Sequence, residues 1–400
     1  MNPIGPLWDP RTEDALRQAA ADGILEETHV LDLKRELEPG QSANKKIACD
    51  IAAFALDGGI IIIGIDEDTT PPSLWPVDLD GLAERIESIA ATAVREGVRI
   101  RSTPIPASEG AGKGYLVVHV PQSPRAPHMA GGRYYGRGDK QNRVLDHAEV
   151  LRLHERQINA RTDIVAEIHQ AVTDLGPRKG INSILAIAAE PLGAHDQMLV
   201  PLAESPNWST TILELVRAAE SNSGVTDPSL LRGPAFARRP HAVAITTGMH
   251  DGKRWNGEGR SAELRFRENG SLFFASERGV TPAGSQGNTF TSNAIFETLI
   301  VERADLLVRL AALVAHAYEF AGTWRFGLVL TGTRDATSYT LNADPLAPHS
   351  EPYFADSYEH TAETALLDLV HDPRDTVKTL VAPLIRGLGA YRHWESYFTE

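Results

Sequence analysis

The chain has 400 residues, 42% of them hydrophobic, and a formal net charge of −14. At about 150 residues per domain that length suits two or three domains, the apolar content is ample for their cores, and the negative charge argues against a surface coated with lysine and arginine for nucleic acid. The single cysteine, Cys49, excludes an internal disulfide framework and any multi-cysteine zinc site and points to a reducing cytoplasm, while no apolar run approaches the roughly 20 residues that span a bilayer.

In chain order, residues 1–24 read as an entry segment with a short helix over 12–21. Acids and prolines open the chain in place of a basic, apolar leader. Val30, Asp32, Lys34 and Glu36 then alternate with Leu31, Leu33 and Leu37, the mark of a half-buried strand. A helix is predicted over 44–56, closing on Ala53-Phe54-Ala55. Gly58 and Gly59 suit a tight helix-to-strand turn. The run Ile60–Ile63 is apolar on both faces and predicts a central strand covered from both sides; each buried isoleucine contributes about 1.5–3 kcal/mol. Gly64 weakens the end of that strand, and Asp66, Glu67 and Asp68 follow it. A helix over 79–94 places Leu82, Ile86, Ile89 and Ala90 on one face. Gly110-Ala-Gly-Lys113-Gly114 lacks the spacing of a phosphate loop and leads into a strand over 115–120, so it reads as a hairpin turn. Pro121 and Pro124 end that strand. Asp146 is an N-cap for a helix reaching to Asp174, stopped by Gly176-Pro177 and linking two halves.

In the second half, strands are predicted over 184–188, 198–202, 241–246, 263–267, 271–275 and 325–331. The pair around Glu268-Asn269-Gly270 is a two-strand hairpin. Helices are predicted over 212–219, 293–320, 361–370 and 376–385, with a loop over 228–240. The result is an α+β protein. Its first domain, 25–145, has a central mixed sheet with flanking helices; a linking helix spans 146–177, and a second α+β domain spans 178–400. Metalloprotease, nucleophile-elbow and dinucleotide motifs are absent. The six tryptophans are too dispersed to form a stacking platform.

Three carboxylates just beyond a buried strand repel one another unless a cation compensates. Magnesium or manganese is the usual answer and could activate water for phosphodiester cleavage. The plainer reading keeps Glu27 and Asp32 as solvated strand-edge acids and Asp66 as a turn cap. Residues 1–155 and 156–400 each carry a net −7, so neither half is a basic module. Two local clusters are basic: Arg133, Arg137, Lys140 and Arg143 against Asp139, and Lys34, Arg35, Lys45 and Lys46 against Glu36 and Glu38. If they meet in space they can bind phosphates; apart, they are solvated surface.

The order of these segments resembles the Schlafen-type, Alba-related domain, often described as DNA-binding. The matching features are Glu27-x4-Asp32-Leu33-Lys34, the helix ending Ala53-Phe54-Ala55, Gly58-Gly59 with its buried strand to Gly64-Ile65-Asp66, and Tyr134-Tyr135-Gly136-Arg137-Gly138. Some members are metal-dependent ribonucleases acting on structured RNA such as tRNA. The resemblance implies Glu27, Asp32 and Asp66 as catalytic acids and ligands of Mg2+ or Mn2+. It also implies a nucleic-acid partner, RNA ahead of DNA, on Lys34, Lys45, Lys46, Arg133, Arg137, Lys140 and Arg143. Position 32 departs from the pattern, carrying aspartate where the nucleases carry glutamate. One methylene draws the carboxylate back from a metal placed by the longer residue, and small errors of position cost rate. Two functions stand side by side: a metal-dependent endoribonuclease in stress or phage defence, and a non-catalytic module that binds nucleic acid or nucleotide and regulates. No membrane partner is expected, and a homo-oligomer stays open.

Overall fold

Thr12 caps the first helix, its hydroxyl accepting from Ala15 N, and α1 runs Glu13–Ala21. In this computed structural model the described residues are 5, 8–138, 140–159, 163–175, 183–221, 233–249, 255, 261–283, 292–343 and 350–399. The chain divides into two compact units, Met1–Arg161 with Ala321–Thr323, and Thr162–Phe320 with Trp324–Glu400.

In the first unit, β1 (Leu31–Lys34), α2 (Gln41–Phe54) and β2 (Gly59–Ile63) follow α1. Next come β3 (Ile65–Asp66), β4 (Ser73–Leu74), β5 (Val77–Asp78) and α3 (Leu82–Thr92). The hairpin β6 (Arg101–Pro106) and β7 (Lys113–Val120) turns through Gly110 and Gly112, and β8 (Met129–Ala130), β9 (Arg133–Arg137), β10 (Asn142–Val144) and α4 (His147–Asn159) complete the unit. The main sheet runs β1-β2-β7-β5, with β6 also on β7. It is mixed: β1 is parallel to β2, and β2 is antiparallel to β7. As predicted, β2 lies inside. Ile61 and Ile63 pack with α2 and α3, while Ile60 and Ile62 pack with α1, Leu31 and Leu33. Gly58 takes the positive φ of the turn (85°). Gly59 serves a different need: a Cβ there would run into the Phe54 ring.

The single helix expected over 146–174 is two. Asp146 caps α4 in a reciprocal box, Glu149 N donating to Asp146 Oδ1 and Asp146 N to Glu149 Oε2. Asp163 caps α5 (Ile164–Thr173) in the second unit. Gly176 and Pro177 lie outside the described residues.

The second unit continues with β11 (Leu185–Pro191), α6 (Val200–Glu204), α7 (Trp208–Ser221), β12 (Ala235–Arg239), β13 (Ala242–Thr247), β14 (Ala262–Arg267) and β15 (Leu272–Ser276). Then follow β16 (Val280–Ala283), β17 (Ser292–Ile295), α8 (Glu297–Ala317), β18 (Thr323–Thr331), β19 (Thr337–Ser338), α9 (Tyr339–Ala343), β20 (Ser357–Ala365), α10 (Leu366–His371), α11 (Pro373–Gly387) and α12 (Tyr391–Thr399). A seven-stranded sheet orders β12-β13-β14-β15-β11-β18-β20. Four expectations change. The helix expected over 293–320 begins only at Glu297, because residues 293–295 belong to β17, which pairs with β16 and β19. Residues 198–202 are not a strand: Pro201 opens α6, where its fixed φ and missing N–H suit the first turn. The helix expected over 361–370 is the end of β20 followed by α10, with Tyr358 and Ala362 buried on one strand face. The loop expected over 228–240 holds β12, and residues 228–232 lie outside the described residues.

Candidate nucleic-acid interface

On the edge strand β1, Leu31 and Leu33 point into the core beneath α1, so Asp32 and Lys34 face the other side, toward α2. A buried polar network forms there. Lys34 Nζ lies 2.6 Å from Asp32 Oδ2 and 3.0 Å from Asp50 Oδ2 of α2. Arg137 reaches in from β9, its Nη2 donating to Asp32 Oδ1 (3.0 Å) and its Nη1 to Asn142 Oδ1 (3.2 Å). Asn142 extends the chain of hydrogen bonds, donating to Asp50 Oδ1 (2.6 Å). The Arg137 guanidinium also lies 4.7 Å from the centre of the Phe54 ring. Two carboxylates thus meet two cations, and the network is neutral. Burial pushes the Asp50 carboxyl above its ordinary pKa, with Lys34 opposing. Burial works to lower the Lys34 ammonium, but Asp50 and Asp32 outweigh it and hold it raised.

Beside this network stands a second set of acids. Glu27 Oε1 accepts from Leu33 N, and its carboxyl is raised to about 7 by burial, by Asp32 and by Glu67. Glu67 is raised by burial, then by Asp32 and Asp68. Asp66 turns away: its Oδ1 caps its own turn by accepting from Asp68 N, and its Oδ2 lies 3.4 Å from Arg35 Nη1. The carboxylate that joins Glu27 and Asp32 is therefore Glu67, where the resemblance implies Asp66. A divalent cation does not fit the implied set. Asp32 is already neutralised by Lys34 and Arg137, Asp66 serves its turn, and among the described residues no group of three Asp, Glu, His or Cys side chains is arranged as a set of metal ligands.

The expected phosphate ligands divide into two kinds. The Arg137 side chain is buried, 4% exposed, and Lys34 is half-buried between two acids; the network engages both of these cations. Lys45, Lys46, Arg133 and Lys140 are exposed. Lys46 stands one helical turn before Asp50, and Lys45 one turn before Cys49, which meets Tyr135 of β9. Asp50 is bound to Asn142 of β10, so both lysines flank the β9–β10 hairpin, whose turn carries Lys140. Arg143 is exposed and paired with Glu149 at 2.7 Å, a surface pair that yields readily. The two basic segments of the sequence therefore meet on one side of α2. Asp50 and Asn142, which join them, were not singled out from sequence. Asp50 reads as one polar residue in an amphipathic helix, and its partner is distant in the chain.

Residues 27–146 match the Schlafen, AlbA_2 family model. They form a Schlafen-type, Alba-related domain. Among solved structures, the chain is similar to the DIP2311 protein of Corynebacterium diphtheriae, with 19% identity and a TM-score of 0.25 over 55% of this chain. It spans 36% of that protein's length. It is also similar to the N-terminal domain of a RecG-related protein of Nitrosomonas europaea, with 25% identity and a TM-score of 0.23 over 35% of this chain and 97% of that one. TM-scores this low assign no fold and no role. No curated protein matches the chain. Among the described residues, no helix is long and apolar enough to cross a membrane.

Proposed function

We propose that the first unit binds nucleic acid without a catalytic metal, through phosphate contacts to Lys45, Lys46, Arg133 and Lys140. The observation that carries this reading is the closed network around Asp32, whose charge is already balanced by Lys34 and Arg137. Its role is to fasten the β9–β10 hairpin to α2, which sets the spacing of the exposed cations. RNA is the first partner to test and DNA the second. The acidity of the whole chain keeps such binding weak except where these cations are grouped.

The second reading is the metal-dependent ribonuclease. What favours it is the pair Glu27 and Glu67, both raised by burial and then by the neighbouring Asp32, a charge build-up that a cation would relieve. It requires Asp32 to leave one of its two cations. Incubation of labelled tRNA with the protein, in chelator and in manganese, separates the two. The expected result is bound, intact RNA in both. Cleavage that needs manganese and disappears in Glu27→Gln would establish the second reading, and an absence of binding in chelator would remove the first.

A further inference from the structure

One face of the second unit's seven-stranded sheet changes character along its width. Cross-strand partners share a face, so Phe273, Arg265, Ala244 and Ala237 form one row, and Arg267, Ala242 and Arg239 the next. Toward β15 and β11, Ile164, Ile168 and Ala171 of α5 pack with Phe273, Ala275 and Ala186. Toward β12–β14 the face becomes alanine edged by arginine, and a cavity of about 930 Å³ opens there, lined by Arg239, Ala242, Trp255, Arg265 and Arg267 among others. The small Ala242 leaves space, and the long cationic side chains around it supply the wall.

The three arginines are not equivalent. Arg239 and Arg265 both converge on Glu263, a fully buried carboxylate, with Arg239 Nη2 2.6 Å from Oε2. Among the described residues Arg267 has no such buried carboxylate partner. Its guanidinium lies 5.4 Å from the Phe273 ring centre, beside Arg265 at 5.5 Å from the same ring. Among the described residues its ion pair is with Glu167 at 4.0 Å, and no side-chain hydrogen bond takes up its donors. Burial lowers its pKa, Glu167 opposes, and the neighbouring Arg265 lowers it further. Trp255 Nε1, also on the lining, is buried and finds no acceptor among the described residues. A guanidinium and an indole N–H with unused donors, facing one cavity, call for a ligand rich in acceptor oxygens.

We propose that this cavity binds a small phosphate monoester, its phosphate on Arg267 and the Trp255 N–H and its organic part over Ala242. The volume lies within the range of small-molecule sites and exceeds the needs of a bare anion. Asp174, Asp196 and Glu268 on the lining suit the hydroxyl or amino groups of such a ligand and disfavour a polyanion.

Calorimetric titration of the full chain with adenosine monophosphate, glycerol phosphate, inorganic phosphate, adenosine and citrate tests this. The expected result is saturable binding of at least one ester, weaker binding of inorganic phosphate, and none of adenosine or citrate. Arg267→Gln should weaken the ester about tenfold or more, as expected when a charge-assisted hydrogen bond is removed. If that variant does not fold, Arg267→Lys serves: it keeps the charge, gives up the planar fork, and should weaken the ester by a smaller factor. Ester affinity unchanged in both variants would overturn the proposal. So would the absence of saturation by either ester up to about 10 mM, a limit weaker than about 1 mM affinity, or tighter binding of citrate than of either ester. None of these outcomes depends on nucleic-acid binding by the first unit.

Discussion

Arg137 is the residue on which the site turns. Its guanidinium joins Asp32, Asn142 and the Phe54 ring in a nearly closed interior. Removing one partner of a buried pair leaves the other uncompensated, so Arg137→Ala is expected to cost about 3–5 kcal/mol in urea unfolding. The double variant Asp32→Asn/Arg137→Met should cost less than the sum of its single changes, because it removes one charge of each sign. Additive losses would show that the two side chains do not interact. Glu27 carries a pH signature. Its carboxyl is raised from 4.5 to about 7 in the folded protein, so the fold holds a proton that the unfolded chain releases. Stability from this group is present below about 4.5 and is lost as pH rises toward about 7. Glu27→Gln should therefore flatten the fall in melting temperature over that window, and an equal fall in both proteins would contradict the assignment. Sequence alone showed the alternation that turns Asp32 and Lys34 to one side. It could not show that Arg137 turns inward, because an arginine in a strand reads the same whether it meets solvent or the face of Phe54. Nor could it show that Glu67, and not Asp66, is the acid facing Glu27; adjacent residues in a turn point apart, and only the Asp66–Asp68 cap decides which.

At the scale of elements, β2 was the most legible feature, since four consecutive isoleucines leave few alternatives to a strand buried on both faces. Ile62→Asp is expected to abolish soluble expression. Its side chain packs among Leu16, Leu31 and Val117, where a carboxylate has no partner; a soluble, cooperatively melting variant would show that this face is open. The junction of α2 and β2 gives a finer test. Gly59→Ala would drive a methyl into the Phe54 ring, and with it the seat of Arg137. Overpacking of this kind costs about 1–3 kcal/mol, and a neutral outcome in thermal unfolding would mean the ring moves freely. Elsewhere the local signal misled. Thr361-Ala-Glu-Thr-Ala favours a helix by propensity, yet its alternation with Tyr358 fits a strand, and sheet pairing overrides propensity. At α6 the apolar run looked extended, while Pro201 marked a helix start.

At the scale of the molecule, the α+β class and the Schlafen-type domain were readable because their signals are local: a strand, a helix, a double glycine and a tyrosine-arginine strand in order. The meeting of the two basic segments was not local. It depends on the packing of α2 against β9 and β10, which brings residues about ninety positions apart together through Asp50 and Asn142. The cavity of the second unit was equally hidden, since its lining gathers Arg239, Ala242 and Arg267 from three different strands. The central claim is that grouped cations on an acidic protein hold nucleic acid without a catalytic metal. The most direct measurement is the salt dependence of RNA binding, by fluorescence anisotropy in chelator, for the parent and for Lys45→Glu/Lys46→Glu. The expected result is a linear fall of log affinity with log salt in the parent, and a slope smaller by about 1 for each phosphate that the variant no longer neutralises. An identical slope and affinity in the two proteins, or binding that appears only when manganese is added, would contradict it.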